Sequence, residues 1–186
     1  MNSLKPWPLL HTRTITENRI FRLAGRTCRS PCTGQEHEFY ALECGDWVNI
    51  VPLTDEGEVV MVRQFRHGTR AFTLEIPGGM VDPTDRDPAE AAAREMREET
   101  GYRAERVRHL GSIEPNPAIQ GNRCHSYLAT GLTLEGSPTP DGTEEVEVLT
   151  IPLAQVPGYI TRGEISHALV VVAFTYMLGL GEGCVV

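Results

Sequence analysis

The chain has 186 residues, a formal net charge of −8 and an isoelectric point near 5.3, which argues against broad binding to a nucleic-acid backbone. Its longest apolar run, ALVVVAFTYMLGL, is too short to span a bilayer. We therefore expect neither a nucleic acid nor a membrane among its partners. The size fits one globular domain with its own core.

The cysteines and the N-terminal residues bear on the cellular compartment in which the protein is expected. Five cysteines are an odd number at irregular spacing, which is typical of free thiols in a reducing compartment. Residues 1–19 contain no basic segment followed by an apolar core, so we see no signal peptide. These features predict a cytoplasmic protein.

Strand patterns dominate the middle of the chain, and the first 35 or so residues predict further strands outside the core. The turn TDEGE separates two apolar stretches and predicts that they form a β-hairpin. The final apolar segment lacks an internal proline, which predicts a buried helix with Ser166 as its N-cap. In chain order, the strand-like stretches are FYALECG, DWVNIVPL, VVMVRQF, FTLEIP, RVRHLGSIE, RCHSYLATG and EVEVLTIPL.

One helix is predicted in the middle of these strands, over Pro88–Thr100 in the stretch GMVDPTDRDPAEAAAREMREETGY. Asp87 is a suitable N-cap and Pro88 suits the first helical position. Gly101 stands where a left-handed C-cap residue belongs. Strands with one inserted helix and one terminal helix indicate an α+β fold.

Three glutamates lie on one face of this helix. Glu95, Glu98 and Glu99 are related by three- and four-residue spacings, so their side chains are neighbours. Like charges one turn apart cost about 0.2–0.5 kcal/mol per exposed pair. Two interpretations are open: a solvated acidic face paired with Arg94 and Arg97, or a binding site for a hard cation such as Mg²⁺ or Mn²⁺.

The segment around this helix resembles the signature of the Nudix hydrolases, G-x5-E-x7-R-E-U-x-E-E-x-G-U, in which U is a bulky apolar residue. REMREETGY matches every fixed position of the second half. In the first half, the residue five places beyond the neighbour of Gly79 is Asp85, where the family has Glu. The gap from Asp85 to Arg94 is one residue longer than the family's x7. We interpret this as an insertion in the loop DPTDRDP. The resemblance extends from about Trp47 to Leu153.

The resemblance implies a Nudix-type α/β/α sandwich with a mixed sheet, plus N-terminal antiparallel strands. It implies Glu95, Glu98 and Glu99 as ligands of Mg²⁺ or Mn²⁺, with the carbonyl of Gly78 as a backbone ligand. Arg94 would orient the glutamates. Glu99 and Arg94 would therefore belong to the catalytic group.

The segments VMVRQFRHG and TLEIPGG look like those of the branch that hydrolyses ADP-ribose and nucleotide sugars. This likeness implies Arg63, Arg66 and Glu75 as contacts to substrate phosphate, ribose or base. The alternative is that the two arginines are simply exposed strand residues that do not contact the substrate. Pro117 lies where the branch carries a proline. The branch usually has Ser-Pro-Gly and an acidic residue there, and this chain does not, so nucleoside-diphosphate sugars and related alcohols stay open as substrates.

The general base of this branch usually comes from a loop well beyond the motif. PDGTEEVEVLTIPL resembles that loop and its following strand. Glu144 is the better match and Glu145 the second. The alternative for Glu144 is a solvated loop acid.

The predicted function is metal-dependent hydrolysis of ADP-ribose or a related nucleoside-diphosphate sugar to a nucleoside monophosphate and a sugar phosphate. One alternative is hydrolysis of a CDP-alcohol or a dinucleoside polyphosphate. Another is a Nudix-like domain that binds a nucleotide as a sensor without cleaving it.

The chain is predicted to divide into an N-terminal strand extension over residues 1–44 and a Nudix hydrolase domain over residues 45–186. In the resembled branch the N-terminal strands pair across a dimer. An exposed strand edge needs cover, and two-fold pairing supplies it. We therefore expect a homodimer.

Overall fold

The computed structural model describes residues 4–139 and 145–179. It confirms the seven strand segments predicted in the middle of the chain. The elements are β1 (Leu9–Glu17), β2 (Arg22–Arg29), β3 (Glu36–Glu43), β4 (Trp47–Pro52), β5 (Glu58–Arg66), β6 (Ala71–Glu75), β7 (Gly78–Met80), α1 (Pro88–Thr100), β8 (Tyr102–Ile113), β9 (Cys124–Leu134), β10 (Val146–Pro152), a 3₁₀ turn (Leu153–Gln155), α2 (Val156–Thr161) and α3 (Ala168–Met177).

Contacts divide the chain into two compact units. The first unit contains the residues up to Gly45 together with Glu114–Arg123, and the second contains Asp46–Ile113 and the residues from Cys124 onward. The domain boundary predicted after residue 44 stays a prediction.

The first unit is built on an antiparallel sheet with strand order β1-β2-β3. Ion pairs link its strands: Arg13 Nε lies 2.8 Å from Glu38 Oε1, and Arg26 Nη2 lies 2.7 Å from Glu43 Oε1. All nine residues of β1 are exposed. The predicted N-terminal antiparallel strands are therefore confirmed.

The second unit contains a mixed sheet with strand order β7-β4-β9-β8, in which only the β4–β9 pairing is parallel. Side chains of β4 alternate between the faces of this sheet. Val48 and Ile50 pack with Met96 of α1, whereas Val51 belongs to a core with Phe174 of α3. Because the two helices cover opposite faces, the predicted α/β/α sandwich is confirmed.

The hairpin predicted from the turn TDEGE is wrong. β4 pairs with β7 on one edge and β9 on the other, so both of its edges are occupied. β5 pairs instead with β6 and β10 in a separate antiparallel sheet. Only an isolated bridge between Leu53 and Val59 joins the two segments across the turn. The turn therefore passes the chain from one sheet to the other.

The helix predicted over Pro88–Thr100 is confirmed, with both of its caps. The Asp87 carboxylate accepts the Glu90 N–H at 2.9 Å. Gly101 has a φ of +76° and donates its N–H to the Arg97 carbonyl at 2.8 Å. A left-handed residue without a β-carbon ends the helix at low cost.

The predicted N-cap of the last helix is wrong. α3 begins at Ala168, and its N-cap is His167 rather than Ser166. The His167 carbonyl accepts the N–H groups of Val170 and Val171, each at 3.0 Å. The imidazole makes no capping hydrogen bond, because its Nδ1 lies 2.7 Å from a carboxylate oxygen of Glu75.

None of the helices described for this chain is long and apolar enough to cross a membrane.

Candidate active site

Two glycines of β7 allow close approach of two other elements. A β-carbon on Gly78 would lie 2.4 Å from the carbonyl oxygen of Val48 in β4. A β-carbon on Gly79 would lie 2.4 Å from a carboxylate oxygen of Glu95 in α1. Glycine at position 78 lets β7 pair closely with β4, and glycine at position 79 leaves room for the Glu95 carboxylate against β7.

Two of the three glutamates predicted as metal ligands, Glu95 and Glu99, contact this glycine strand. The side chain of Glu99 is 3% exposed, and its Oε2 accepts the Gly78 N–H at 3.2 Å. Glu95 lies against Gly79, and its side chain is 15% exposed. Glu98 is partly exposed, with 38% of its side-chain surface accessible. The helix thus offers one buried and two more accessible carboxylates.

Arg94 holds this acidic face together. Its Nη1 donates to Glu95 Oε1 at 2.9 Å and to Glu98 Oε2 at 3.1 Å. Its Nε and Nη2 donate to the Asp85 carboxylate at 3.1 and 3.0 Å, and Nη2 also donates to the Met80 carbonyl at 3.2 Å. These bonds, those to Asp85 above all, hold the pKa of Arg94 above its usual range. These hydrogen bonds support the predicted role of Arg94 in orienting the glutamates.

Asp85 is the acid that stands where the family signature has Glu. Its side chain is 4% exposed and binds Arg94 through both oxygens. The Arg94 hydrogen bonds hold the pKa of Asp85 below its usual range, although burial acts in the opposite direction. Asp82 shapes the loop around it, since its N–H donates to Asp85 Oδ2 at 2.8 Å. The inserted residue has therefore not separated this acid from Arg94.

The donor set suits a hard divalent cation. Glu95, Glu98, Glu99 and the Gly78 carbonyl offer only oxygen atoms, which Mg²⁺ and Mn²⁺ prefer. Within residues 4–139 and 145–179, no three His, Cys, Asp or Glu side chains converge closely enough to hold a metal as they stand. Arg94 supplies the positive charge between Glu95 and Glu98. Binding a cation at those oxygens would therefore require these side chains to rearrange.

We expect Gly79→Ala to impair activity much more than stability. The new methyl group would collide with the Glu95 carboxylate, the far end of a flexible side chain that can rotate away. A displacement of about 1 Å in a catalytic group can cost about 10²-fold in rate, so we expect a loss of kcat/KM of that order with a nearly unchanged melting temperature. Steady-state kinetics and thermal unfolding measure the two effects.

Two other glycines make matched controls for this change. At Gly78 the added β-carbon would meet backbone of β4, so Gly78→Ala should lower the melting temperature itself. At Gly68 nothing lies within 4 Å of the added atom, so Gly68→Ala should resemble the wild type. Unimpaired activity of Gly79→Ala would contradict the assigned position of Glu95.

A second polar cluster surrounds Glu75 at the end of β6. The residue is 2% exposed, and both of its oxygens are used. Arg66 donates to both of them at 2.8 and 2.7 Å, Thr73 donates to Oε1 at 2.6 Å, and His167 Nδ1 lies 2.7 Å from Oε2. Burial alone would raise the pKa of Glu75, but the bonds from Arg66, His167 and Thr73 outweigh it and hold that pKa well below its usual range.

We expect Glu75→Gln to lower the free energy of unfolding at pH 7 by about 2 kcal/mol, because hydrogen bonds to a charged group contribute about 1.5–3 kcal/mol. The folded-state pKa lies below the usual value of 4.5. The contribution of the carboxylate is therefore present above pH 4.5 and is lost as pH falls towards the folded-state pKa. Urea unfolding at several pH values between about 7 and about 3 measures this difference.

The exposed turn residue Glu56 supplies the matched control. Glu56→Gln should leave the stability difference from wild type near zero at every pH. If the loss of unfolding free energy in Glu75→Gln stays constant through the acidic range, the ionised Glu75 side chain does not stabilise the fold.

The structure does not bring Arg63 to this cluster. Residues alternate between the faces of a strand, and the β5–β6 register is regular from Val62 to Arg66. Arg63 and Arg66 therefore lie on opposite faces. Arg63 is exposed, 3.4 Å from Glu147 and 5.2 Å from the centre of the Phe72 ring. Its predicted substrate contact stays a prediction.

The other predicted site residues lie elsewhere. Pro117 belongs to the first unit, where it lines a groove of about 560 Å³ with Trp7, Phe39 and Tyr40. Glu144, the predicted general base, lies outside the described residues, and Glu145 is exposed. The roles of Pro117 and Glu144 stay predictions.

His167 was missed by sequence reasoning. A single histidine before an apolar helix carries no recognisable signal, and its partner Glu75 is 92 residues away in the chain. Thr73 was missed as well, although its alternation with Glu75 in FTLEIP places both side chains on one face of the strand.

Comparisons with known proteins show which family the chain is similar to. The NUDIX domain family profile matches residues 46–171. A CMP-5'-(N-acetyl-N-hydroxy-3-aminopropyl)phosphonate hydrolase of Streptomyces rubellomurinus is 36% identical over 91% of this chain and 81% of its own. An ADP-ribose pyrophosphatase of Mycobacterium tuberculosis is 33% identical over 87% of this chain and 78% of its own. A crystal structure of an ADP compounds hydrolase superposes with a TM-score of 0.84 at 23% identity, covering 96% of this chain and 95% of the other.

The chain belongs to the Nudix family. It is a Nudix hydrolase that acts on pyrophosphate bonds, and its predicted place in the ADP-ribose branch is confirmed. Hydrolases of this family generally use divalent metals and act on nucleoside-diphosphate-linked substrates. The sensor alternative is therefore not supported.

Proposed function

We propose that this protein hydrolyses the diphosphate of ADP-ribose, or of a related nucleoside-diphosphate sugar, with Mg²⁺ or Mn²⁺ as its cofactor. The observation that carries the proposal is the acidic face of α1, where Glu95 lies against Gly79 and Glu99 accepts the Gly78 N–H. The relative that is an ADP-ribose pyrophosphatase supports the substrate class.

Glu95, Glu98, Glu99 and the Gly78 carbonyl would hold the divalent cation. When bound, such a cation neutralises diphosphate oxygens and lowers the pKa of coordinated water. Arg94 keeps the carboxylates in place through its bonds to Glu95, Glu98 and Asp85. Such positioning, together with charge stabilisation, carries most of the catalysis of phosphoryl-group chemistry.

The remaining steps require a substrate anchor and a base. Arg66 is 40% exposed while two of its nitrogens are bound to Glu75, so it can present a fixed positive charge to a substrate phosphate. The ligand glutamates are engaged elsewhere, so another acid must take the proton of the attacking water. By sequence that acid is Glu144.

The candidate substrate classes can be separated experimentally. One relative hydrolyses a CMP-linked phosphonate, which favours CMP-linked compounds as a second candidate class. Purified protein is incubated with Mg²⁺ and either ADP-ribose, nucleotide sugars, CDP-alcohols, a CMP-linked phosphonate or dinucleoside polyphosphates. Released phosphate after phosphatase treatment gives the rate, and the substrates are compared by kcat/KM.

We expect ADP-ribose or a nucleotide sugar to give the highest kcat/KM, with a nucleoside monophosphate and a sugar phosphate as products. Reaction in ¹⁸O-labelled water identifies the attacked phosphorus, because only one product carries the label. A higher kcat/KM for the CMP-linked phosphonate moves the assignment to the second class.

We also propose that the protein is a homodimer paired through its N-terminal strands. The nine residues of β1 are exposed, including Leu9, Leu10 and Ile15 at 56%, 42% and 40%, and an exposed edge strand is an aggregation risk unless covered. Light scattering at micromolar concentration should give twice the chain mass of 20.6 kDa. A mass of one chain would contradict this pairing.

A further inference from the structure

Glu75 holds two cationic or potentially cationic groups side by side. Its own exposure is 2%, whereas the side chains of Arg66 and His167 are 40% and 36% exposed. The carboxylate is therefore covered, and the surfaces that remain open belong to its two partners. A buried carboxylate that is fully hydrogen-bonded also fixes the orientation of those partners.

The bond to Glu75 determines which nitrogen of His167 carries a hydrogen. An ionised carboxylate only accepts hydrogen bonds, and the pKa of Glu75 is held well below its usual range, mainly by Arg66 and His167 against the opposing effect of burial. His167 must therefore donate from Nδ1, which lies 2.7 Å from Oε2. Nε2 makes no hydrogen bond within the part of the chain that the structure describes. This atom is the one that His167 can offer to a ligand.

Two indirect connections link His167 to the glycine strand of the active site. Glu75 precedes Gly78 by three positions in the chain. Asn49 is the strand partner of Gly78 and donates its side-chain amide to the carbonyl of Leu169 at 3.0 Å. The first turn of α3, which His167 caps, is thus tied to β4, the strand that pairs with β7.

We propose that His167 is a further substrate-contacting residue, and that its Nε2 forms an anion-binding pair with the Arg66 guanidinium on the shared carboxylate of Glu75. An imidazole that carries hydrogens on both ring nitrogens donates from each of them, so Nδ1 can bind Glu75 while Nε2 donates to a phosphate oxygen. Arg66 and His167 together then bind a phosphate group of the diphosphate. This inference rests on the proposed function only in requiring that the substrate contain a diphosphate.

The test uses binding rather than turnover. The probe is imidodiphosphate, a diphosphate that is not hydrolysed, titrated by calorimetry into wild type and variants in the presence of Mg²⁺. His167→Asn keeps an amide N–H in the place of Nδ1 and removes Nε2, whereas His167→Ala removes both. Losing one hydrogen bond to a charged group corresponds to about tenfold in Kd, so we expect both variants to bind about tenfold more weakly than wild type.

His125 supplies the matched control, because it also lies beside a carboxylate, with Nε2 3.3 Å from Asp46 Oδ2. His125→Asn should bind imidodiphosphate like the wild type. If His167→Asn binds like the wild type while His167→Ala is weakened, His167 only supports Glu75 and the proposal is wrong. If neither variant is weakened, or if the wild type does not bind the probe, the proposal is also wrong.

Failure of the proposed function would look different. If the substrate panel shows no turnover of ADP-ribose or nucleotide sugars, the substrate class is wrong. Imidodiphosphate contains neither a nucleoside nor a sugar. Its binding therefore tests the anion-binding pair even if the proposed substrate class is wrong.

Discussion

Replacing Glu98 or Glu99 by glutamine should reduce kcat/KM by about 10³-fold or more while the fold is retained. Each substitution removes one negative charge from the group proposed to hold the cation and keeps the size of the side chain. Charge stabilisation by a bound cation contributes several kcal/mol, and about 4 kcal/mol corresponds to about 10³-fold. In Glu99→Gln the new amide oxygen can still accept the Gly78 N–H, so the contact of β7 with α1 should survive.

Metal binding gives a second readout for the same variants. Electron paramagnetic resonance of Mn²⁺ measures free metal, and the dissociation constant should rise in both variants. Glu90→Gln is the matched control, because Glu90 lies on the same helix but pairs with Arg86 in the first turn. Full activity of the wild type in excess chelator would contradict metal dependence itself.

Replacing Glu144 by glutamine should reduce kcat by about 10²–10⁴-fold, which is the usual contribution of a general base. KM and metal affinity should change little, because the proposed base takes part in neither substrate anchoring nor metal binding. Single-turnover and steady-state kinetics of the variant measure the effect. The prediction depends on sequence resemblance, since residue 144 lies outside the described residues.

The neighbouring acid provides the control for this assignment. Glu145→Gln alters an exposed residue one position along the chain and should keep near-wild-type kcat. The reverse result, with Glu145→Gln impaired and Glu144→Gln active, would transfer the role of base to Glu145.

Helix α1 was predictable because its signals are local. Asp87, Pro88 and Gly101 act on the backbone within one turn of the helix ends. The spacing of Glu95, Glu98 and Glu99 places them together on any regular helix. These features do not depend on what the helix packs against, and the structure confirms the helix and both caps.

The pairing of β4 was not predictable from its own residues. A turn between two apolar strands usually indicates a hairpin, but the parallel partner of β4 is β9, which follows much later in the chain. Such a pairing depends on loop closure over a long sequence separation, and no local pattern reports it. The alternation of Arg63 and Arg66 was available in the sequence, since three positions along a regular strand always means opposite faces.

Residues at short spacing were enough to predict helix α1 with its acidic face and to identify the resemblance to the Nudix signature. The sheet that each strand joins, the reach of Asp85 to Arg94 across the longer loop and the meeting of His167 with Glu75 became visible only in the folded chain. These contacts join segments that are distant in the chain or separated by an irregular loop. The contact of His167 with Glu75 depends on how α3 and the two sheets pack around a common core, and local sequence patterns do not report such long-range packing.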